Sequence, residues 1–183
     1  MKKIFILAIA LGVSAVSTQT FAQKTKMVGG AAMYPAKDIV DNAVNSKDHT
    51  TLVAAVKAAG LVETLKSAGP FTVFAPTNAA FDKLPEGSVA TLVKPENKAT
   101  LTKILTYHVL SGRYSAADIA KAIKAGKGKA EFKTVSGGTL TASMKGKKVM
   151  LMDEKGGMAA VTIADVFQKN GVIHVIDRVV LPK

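Results

Sequence analysis

The chain has 183 residues, a length that suits one domain. It carries 25 lysine and arginine residues against 13 aspartate and glutamate residues, a formal net charge of +12, and it has no cysteine. The lack of cysteine excludes disulfide bonds and a cysteine-linked lipid anchor, so a hydrophobic core must provide the stability.

The first residues have the pattern of a secretory signal peptide. Lys2 and Lys3 precede an apolar run over residues 4–16, which is shorter than the ~20 residues that span a membrane. Small residues follow, and we predict cleavage after Ala22. Removing residues 1–22 lowers the formal charge from +12 to +10, because two lysines and no acids are lost. We expect a soluble product that is periplasmic or secreted.

Residues 23–35 mix lysine, glycine and small residues, and we predict a flexible tail that adds nothing to the core. Residues 36–183 have the pattern of one folded domain. In its first half the apolar residues recur at helical spacing. The predicted helices cover residues 37–45, 49–59, 61–67, 79–84, 89–93, 95–107 and 116–125.

One stretch, residues 71–85, joins a short strand to a short helix. The strand pattern ends at Pro76, which has no backbone N–H to donate to a neighbouring strand. Thr77 and Asn78 carry side-chain oxygens that can cap the first amides of the helix, and Phe81 lies on its apolar face. We therefore predict a strand-to-helix corner with two apolar faces to bury.

After residue 126 the apolar spacing changes to two, which is typical of strands. The predicted strands cover residues 132–135, 139–144, 147–152, 159–164 and 172–181, with glycine-containing turns between several of them. Helices come first and strands later, so the order favours an α+β fold over alternating βαβ units.

Three blocks in chain order resemble the signature segments of the fasciclin (FAS1) domain family: residues 71–85, 104–110 and 170–182. The resemblance covers residues 36–182 and is closest in kind to secreted, single-domain bacterial members. It implies a β-wedge or sandwich of about seven strands with several α-helices packed at its open side. We expect the first and last blocks to close this wedge together.

The resemblance also implies a non-enzymatic adhesion or binding role towards a protein or glycan at a cell surface or in an extracellular matrix. The family's central block has been linked to receptor binding, which makes Tyr107 and His108 partner-binding candidates. The alternative is that both side chains fasten the helix end to the sheet. The residues expected to be structural are Thr77, Asn78, Phe81, His174 and Asp177.

The sequence has no nucleophile elbow, no zinc-binding helix motif and no phosphate-binding loop. We therefore expect no enzyme, no cofactor and no metal site. His108 and His174 lie among apolar residues and are expected to be buried, hydrogen-bonded rings. His49 carries no specific signal.

Four methionines fall within fifteen residues: Met144, Met150, Met152 and Met158. Flexible thioether side chains commonly fill gaps in a core, and we predict that role for them. The alternative is a copper site, because thioether sulfur is a soft metal ligand.

Between residues 121 and 148 there are eight lysines and one acid, Glu131. Such an excess attracts polyanions, and acidic polysaccharide or envelope polyanions are the expected partners, with no nucleic acid for an exported chain. The alternatives are protection of strand edges and solubility. We expect a monomer or weak oligomer. The lysines are Lys121, Lys124, Lys127, Lys129, Lys133, Lys145, Lys147 and Lys148.

Overall fold

A computed structural model describes residues 25–183, so the predicted signal peptide lies outside the described residues. The helices are α1 (Ile39–Ala43), α2 (Thr50–Ala59), α3 (Val62–Lys66), α4 (Asn78–Phe81), α5 (Ser88–Leu92), α6 (Lys98–Tyr107) and α7 (Ala116–Ala125). The strands are β1 (Lys26–Val28), β2 (Ala31–Met33), β3 (Phe71–Pro76), β4 (Val109–Ser111), β5 (Lys129–Lys133), β6 (Thr139–Lys145), β7 (Lys148–Met152), β8 (Met158–Gln168) and β9 (Gly171–Ile176). None of the helices within residues 25–183 has the length and apolar character needed to cross a bilayer.

Seven of the strands form one sheet in the order β4-β3-β9-β8-β7-β6-β5. Neighbouring strands in this sheet are antiparallel except for β3 and β9, which run parallel. A single bridge between Leu110 in β4 and Thr134, just after β5, joins the two edges of the sheet. The α+β class and the main sheet of about seven strands are confirmed.

The first and last signature blocks are direct neighbours in this sheet. β3 pairs with β9 along its whole length, from Phe71 opposite Gly171 to Pro76 opposite Ile176. The pairing ends there, because Pro76 is the last residue of β3 and α4 begins two residues later. The expectation that these two blocks close the wedge together is confirmed.

The core lies on two sides of the structure. On one side, α1, α2 and α6 pack against β3 and β9, with Leu52, Leu105 and Ile173 buried between them. On the other side, α7 covers the inner face of β5–β7 and buries Ile119 and Ile123. Both helix faces follow the predicted apolar spacing, because residues three and four apart lie on one side of a helix.

The N-terminal segment is not the flexible tail that its composition predicts. β1 and β2 form a hairpin across Gly29 and Gly30, both of which have positive φ angles. Val28 is 4% exposed and Met33 is 3% exposed, and both belong to the core beside α1. The tail prediction is therefore wrong for residues 26–33, where a two-glycine turn lets a few apolar residues reach the core.

The methionines also differ from the prediction. In β7, Met150 and Met152 alternate with Val149 and Leu151, which are 6% and 0% exposed. Alternate residues of a strand point to opposite faces, so the methionines lie on the outer face of the sheet. Met158 in β8 is 41% exposed. The prediction that the methionines fill the core is wrong: Met150, Met152 and Met158 are in the outward phase of their strands, and Met144 is 39% exposed near the end of β6.

Candidate functional site

Tyr107 is the last residue of α6 and is completely buried. Its hydroxyl donates to the carbonyl oxygen of Thr139 at 2.7 Å and accepts from the backbone N–H of Glu154 at 3.2 Å. Burial raises its pKa to about 12. The ring packs closely against Gly138, since a Cβ atom at that position would lie 2.6 Å from a ring carbon of Tyr107.

His108 follows at the helix end and is 2% exposed. Its Nδ1 donates to the carbonyl oxygen of Ile104 at 2.8 Å, and Nε2 accepts from the backbone N–H of Val180 at 3.2 Å. Burial lowers its pKa to about 4, so the ring is neutral near pH 7. Tyr107 and His108 therefore do not reach the surface, and the prediction that they contact a partner directly is corrected: they join helix, sheet and C-terminus.

We name the region around Tyr107 and His108 the Tyr-His corner. It includes two acidic residues that the sequence did not indicate. Asp153 accepts from the backbone N–H of Leu181 at 2.9 Å, and Glu154 accepts from those of Lys183 and Thr139, both at 3.0 Å. These bonds lower the pKa of the Glu154 carboxyl. The C-terminal residues are thus held by side chains after β9 has ended. The available signal was an acidic pair before two glycines, where carboxylates readily accept from backbone amides.

His174 lies in β9 and is completely buried. Its Nε2 donates to the carbonyl oxygen of Tyr114 at 2.8 Å, and Nδ1 accepts from the backbone N–H of Asp165 at 3.3 Å. Its ring stacks on Phe74 with 5.7 Å between centroids, and burial lowers its pKa. His108 and His174 share no partner, and residues 25–183 contain no group of three or more histidine and acidic side chains suited to a metal ion.

The capping residues predicted at the strand-to-helix corner both make hydrogen bonds to backbone groups. Thr77 accepts from the backbone N–H of Ala80 at 3.2 Å and caps α4. The Asn78 amide accepts from the backbone N–H of Thr51 at 3.0 Å and donates to the carbonyl oxygen of Lys47 at 2.9 Å. It therefore joins the start of α4 to the start of α2.

The remaining motif residues also hold the fold. Phe81 is 8% exposed and packs in the core. The Asp177 carboxylate accepts from the backbone N–H of Ala160 at 2.8 Å, just after β9 ends. Asp177 thus binds the end of β9 to β8.

His49 is a buried ring that the sequence did not indicate. It is 3% exposed, and its Nδ1 forms a hydrogen bond with the hydroxyl of Ser46 at 2.8 Å. Its Nε2 has no hydrogen-bond partner, and the ring lines a cavity of about 10 Å³ beside β1 and β2. Burial lowers its pKa, so this ring too is neutral near pH 7.

All eight lysines of the predicted cluster are exposed, but they do not form one patch. Lys145 and Lys148 are directly opposite each other at the turn between β6 and β7, with Lys147 between them. Lys129 pairs with Ser143 at the same end of the sheet. Lys133 pairs with Thr139 at the other end, about 13 Å along the strand.

The other three lysines lie towards α7. Lys121 and Lys124 are in this helix, and Lys127 is in the connection to β5. Within the described part of the chain, none of the eight lysines makes an ion pair. We name the group at the β6–β7 turn the lysine end. It comprises Lys129, Lys145, Lys147 and Lys148.

An apolar groove of about 70 Å³ lies between the first helices and β3. Its walls include Val53 and Leu65, and Val135, which is 49% exposed, lies at its edge. Lys57 is its single charged lining residue. The groove can accept an apolar group through dispersion contacts. No sequence motif indicated it, because its residues come from separate elements.

The comparisons with known proteins agree with the fold. The pattern that defines the Fasciclin domain matches residues 47–182. Protein sll1483 of Synechocystis sp. is 45% identical over 175 residues, which cover 96% of this chain and 90% of that protein. The cell surface glycolipoprotein MPB83 of Mycobacterium bovis is 33% identical over 169 residues, covering 90% of this chain and 69% of that protein. A FAS1 domain pair from the insect cell adhesion molecule fasciclin I superposes with a TM-score of 0.70 at 19% identity, over 80% of this chain and 51% of that one.

Proposed function

The chain belongs to the fasciclin domain family, and from this premise we propose that it is an exported, non-enzymatic binding module for a protein or glycan on a cell surface or in a matrix. The name of MPB83 places that relative at the cell surface. The predicted signal peptide directs this chain to export as well. A monomer or weak oligomer suffices for this role.

One observation carries the proposal. The tyrosine and histidine side chains of the signature blocks, Tyr107, His108 and His174, are all buried and bonded to the protein's own backbone. A catalytic base must reach a substrate and titrate near the working pH. None of these side chains can reach a substrate, so the outside of the wedge is the part available to a partner.

A binding assay tests the proposal directly. Labelled protein comprising residues 23–183 is added to intact cells of the producing organism and to their isolated matrix, at low salt and at about 0.5 M salt. The proposal expects saturable binding that unlabelled protein displaces and that survives the higher salt. Absence of saturable binding to cells, envelope and matrix would overturn it.

A second candidate function is capture of an acidic polysaccharide or envelope polyanion at the lysine end. Four exposed lysines without ion pairs lie close together there, with Glu131 as the single acid in β5. Exposed charges of one sign attract polyanions over long range, and salt screens the attraction. This candidate expects binding that disappears at high salt, unlike the first.

Heparin chromatography distinguishes a local site from general basicity. A Lys145→Glu/Lys148→Glu variant changes the charge of the lysine end, and a Lys57→Glu/Lys94→Glu variant makes the same change in net charge elsewhere. The local site expects only the first variant to elute at clearly lower salt. Equal losses in both variants would mean that net charge alone retains the protein.

A further inference from the structure

Three methionines lie together on the outer face of the sheet. Met150 and Met152 are half-buried in β7, and Met158 in β8 is 41% exposed. Val149 and Leu151, which alternate with the two β7 methionines, point inward and are buried. This placement excludes packing in the core, and all three side chains lie on the outer face of the sheet.

The strand register brings these side chains within reach of one point. Met152 is directly opposite Met158, and Met150 is opposite Ala160. Side chains directly opposite on one face have Cβ atoms about 4.5–5.5 Å apart, and diagonal neighbours about 7–8 Å. Methionine has three rotatable side-chain bonds, so three sulfurs can converge above the small side chain of Ala160.

The chemistry of this face selects a soft, singly charged cation. Thioether sulfur is a neutral, soft ligand that favours copper(I) over cations that prefer oxygen or imidazole. Glu131 lies two strands away in the same row, opposite Thr141, which in turn is opposite Met152. The nearby Lys148 opposes any cation and opposes a divalent one more strongly.

We propose that Met150, Met152 and Met158 form a three-thioether site for one soft monovalent metal ion, copper(I) or silver(I). The site needs no other protein ligand and no change in the sheet. It is separate from the lysine-based binding described above and does not depend on it. A patch of methionines that only binds apolar protein surfaces is the competing explanation, and it predicts no response to metal.

Silver(I) provides a redox-inert probe for the first experiment. Protein comprising residues 23–183 is labelled with carbon-13 at the methionine methyl groups and titrated with silver(I) while the methyl resonances are recorded. The signals of Met150, Met152 and Met158 are expected to shift together and to saturate at one equivalent. Met27 is 62% exposed and Met144 is 39% exposed, and both are expected to stay unchanged. Shifts that follow exposure alone, or no saturable shift, would overturn the proposal.

A pair of leucine variants tests the ligands themselves. Leucine keeps the approximate size of methionine and removes the sulfur, and both sites tolerate it because neither is in the core. Met152→Leu is expected to weaken copper(I) binding by about tenfold or more in competition with a colorimetric copper(I) chelator. Met144→Leu, whose strand partner is the inward-facing Val149, is expected to bind like the unchanged protein. Equal affinity in the two variants would contradict the assignment.

Discussion

In the Tyr-His corner the hydroxyl of Tyr107 and both ring nitrogens of His108 have partners inside the protein, whereas the lysines of the lysine end have none within residues 25–183. The corner lies where α6, the start of β6, the turn after β7 and the C-terminal residues meet. The lysine end lies on an open sheet face. The comparison teaches that the residues that mark the family hold the fold, while the chemistry available to partners lies outside.

The largest expected effect comes from emptying the corner. Tyr107→Ala should lower the free energy of unfolding by about 3–5 kcal/mol, because it removes a buried ring and leaves the Thr139 carbonyl and Glu154 N–H without a partner. Urea unfolding measures the change. Tyr34→Ala is the control, since the Tyr34 side chain is 48% exposed and should cost far less. Similar losses in both variants would remove the distinction between corner and surface.

The next effect is a dependence on pH. The His108 pKa is about 4 in the folded protein, against about 6.5 when unfolded, so below pH 6.5 the unfolded chain binds a proton that the folded ring excludes. The stability that depends on the neutral His108 ring is therefore fully present above pH 6.5 and is lost as the pH drops towards 4. His108 alone should account for about 2 kcal/mol of this loss at pH 5.

Urea unfolding at pH 7.5, 6 and 5 measures this dependence. His108→Gln should be less stable at pH 7.5 and should lose about 2 kcal/mol less than the unchanged protein between pH 7.5 and 5. Identical pH dependence in the two proteins would mean that His108 is not buried and neutral.

A smaller effect is expected at the C-terminal attachment. Asp153→Ala removes the acceptor of the Leu181 N–H, as well as the acceptor of two N–H groups in its own turn, and should cost about 1–2 kcal/mol. It should also speed proteolytic trimming of the last residues, which mass spectrometry follows. Glu86→Ala, an exposed acid in a loop, serves as the control. Trimming at equal rates would show that Asp153 does not hold this segment.

The smallest effect on stability is expected at the lysine end. Lys145→Glu/Lys148→Glu keeps two like charges opposite each other and touches no buried group. Its free energy of unfolding should stay within about 0.5 kcal/mol of the unchanged protein. A larger loss, seen in the same urea experiment, would mean that these lysines support the fold.

Much of the fold could be predicted because local patterns agreed with it. The predicted helix at residues 116–125 matches α7, whose first turn is capped by Ser115 and Asp118 in a reciprocal pair. Such a cap involves residues only three apart, so its pattern is present in the local sequence. Gly60 ends α2 with φ of 73°, as a glycine after the last turn indicates. The strand-to-helix corner at residues 71–85 was predictable for the same reason, because Pro76 and Thr77 act on their immediate neighbours.

What the sequence left open depends on contacts between distant residues. Burial of Val28 and Met33 depends on a hairpin lying against the first helices. The outward orientation of Met152 follows from the phase of strand alternation, which short apolar runs do not settle. Asp153 and Glu154 could not be assigned to the C-terminus from spacing alone, since they lie nearly thirty residues before it.

The most direct test of an inner scaffold and an outer binding surface is the affinity of a His108→Ala variant for intact cells, measured at a temperature where the variant is folded. The account predicts a lower unfolding midpoint and an unchanged dissociation constant. A variant as stable as the unchanged protein that no longer binds would contradict it.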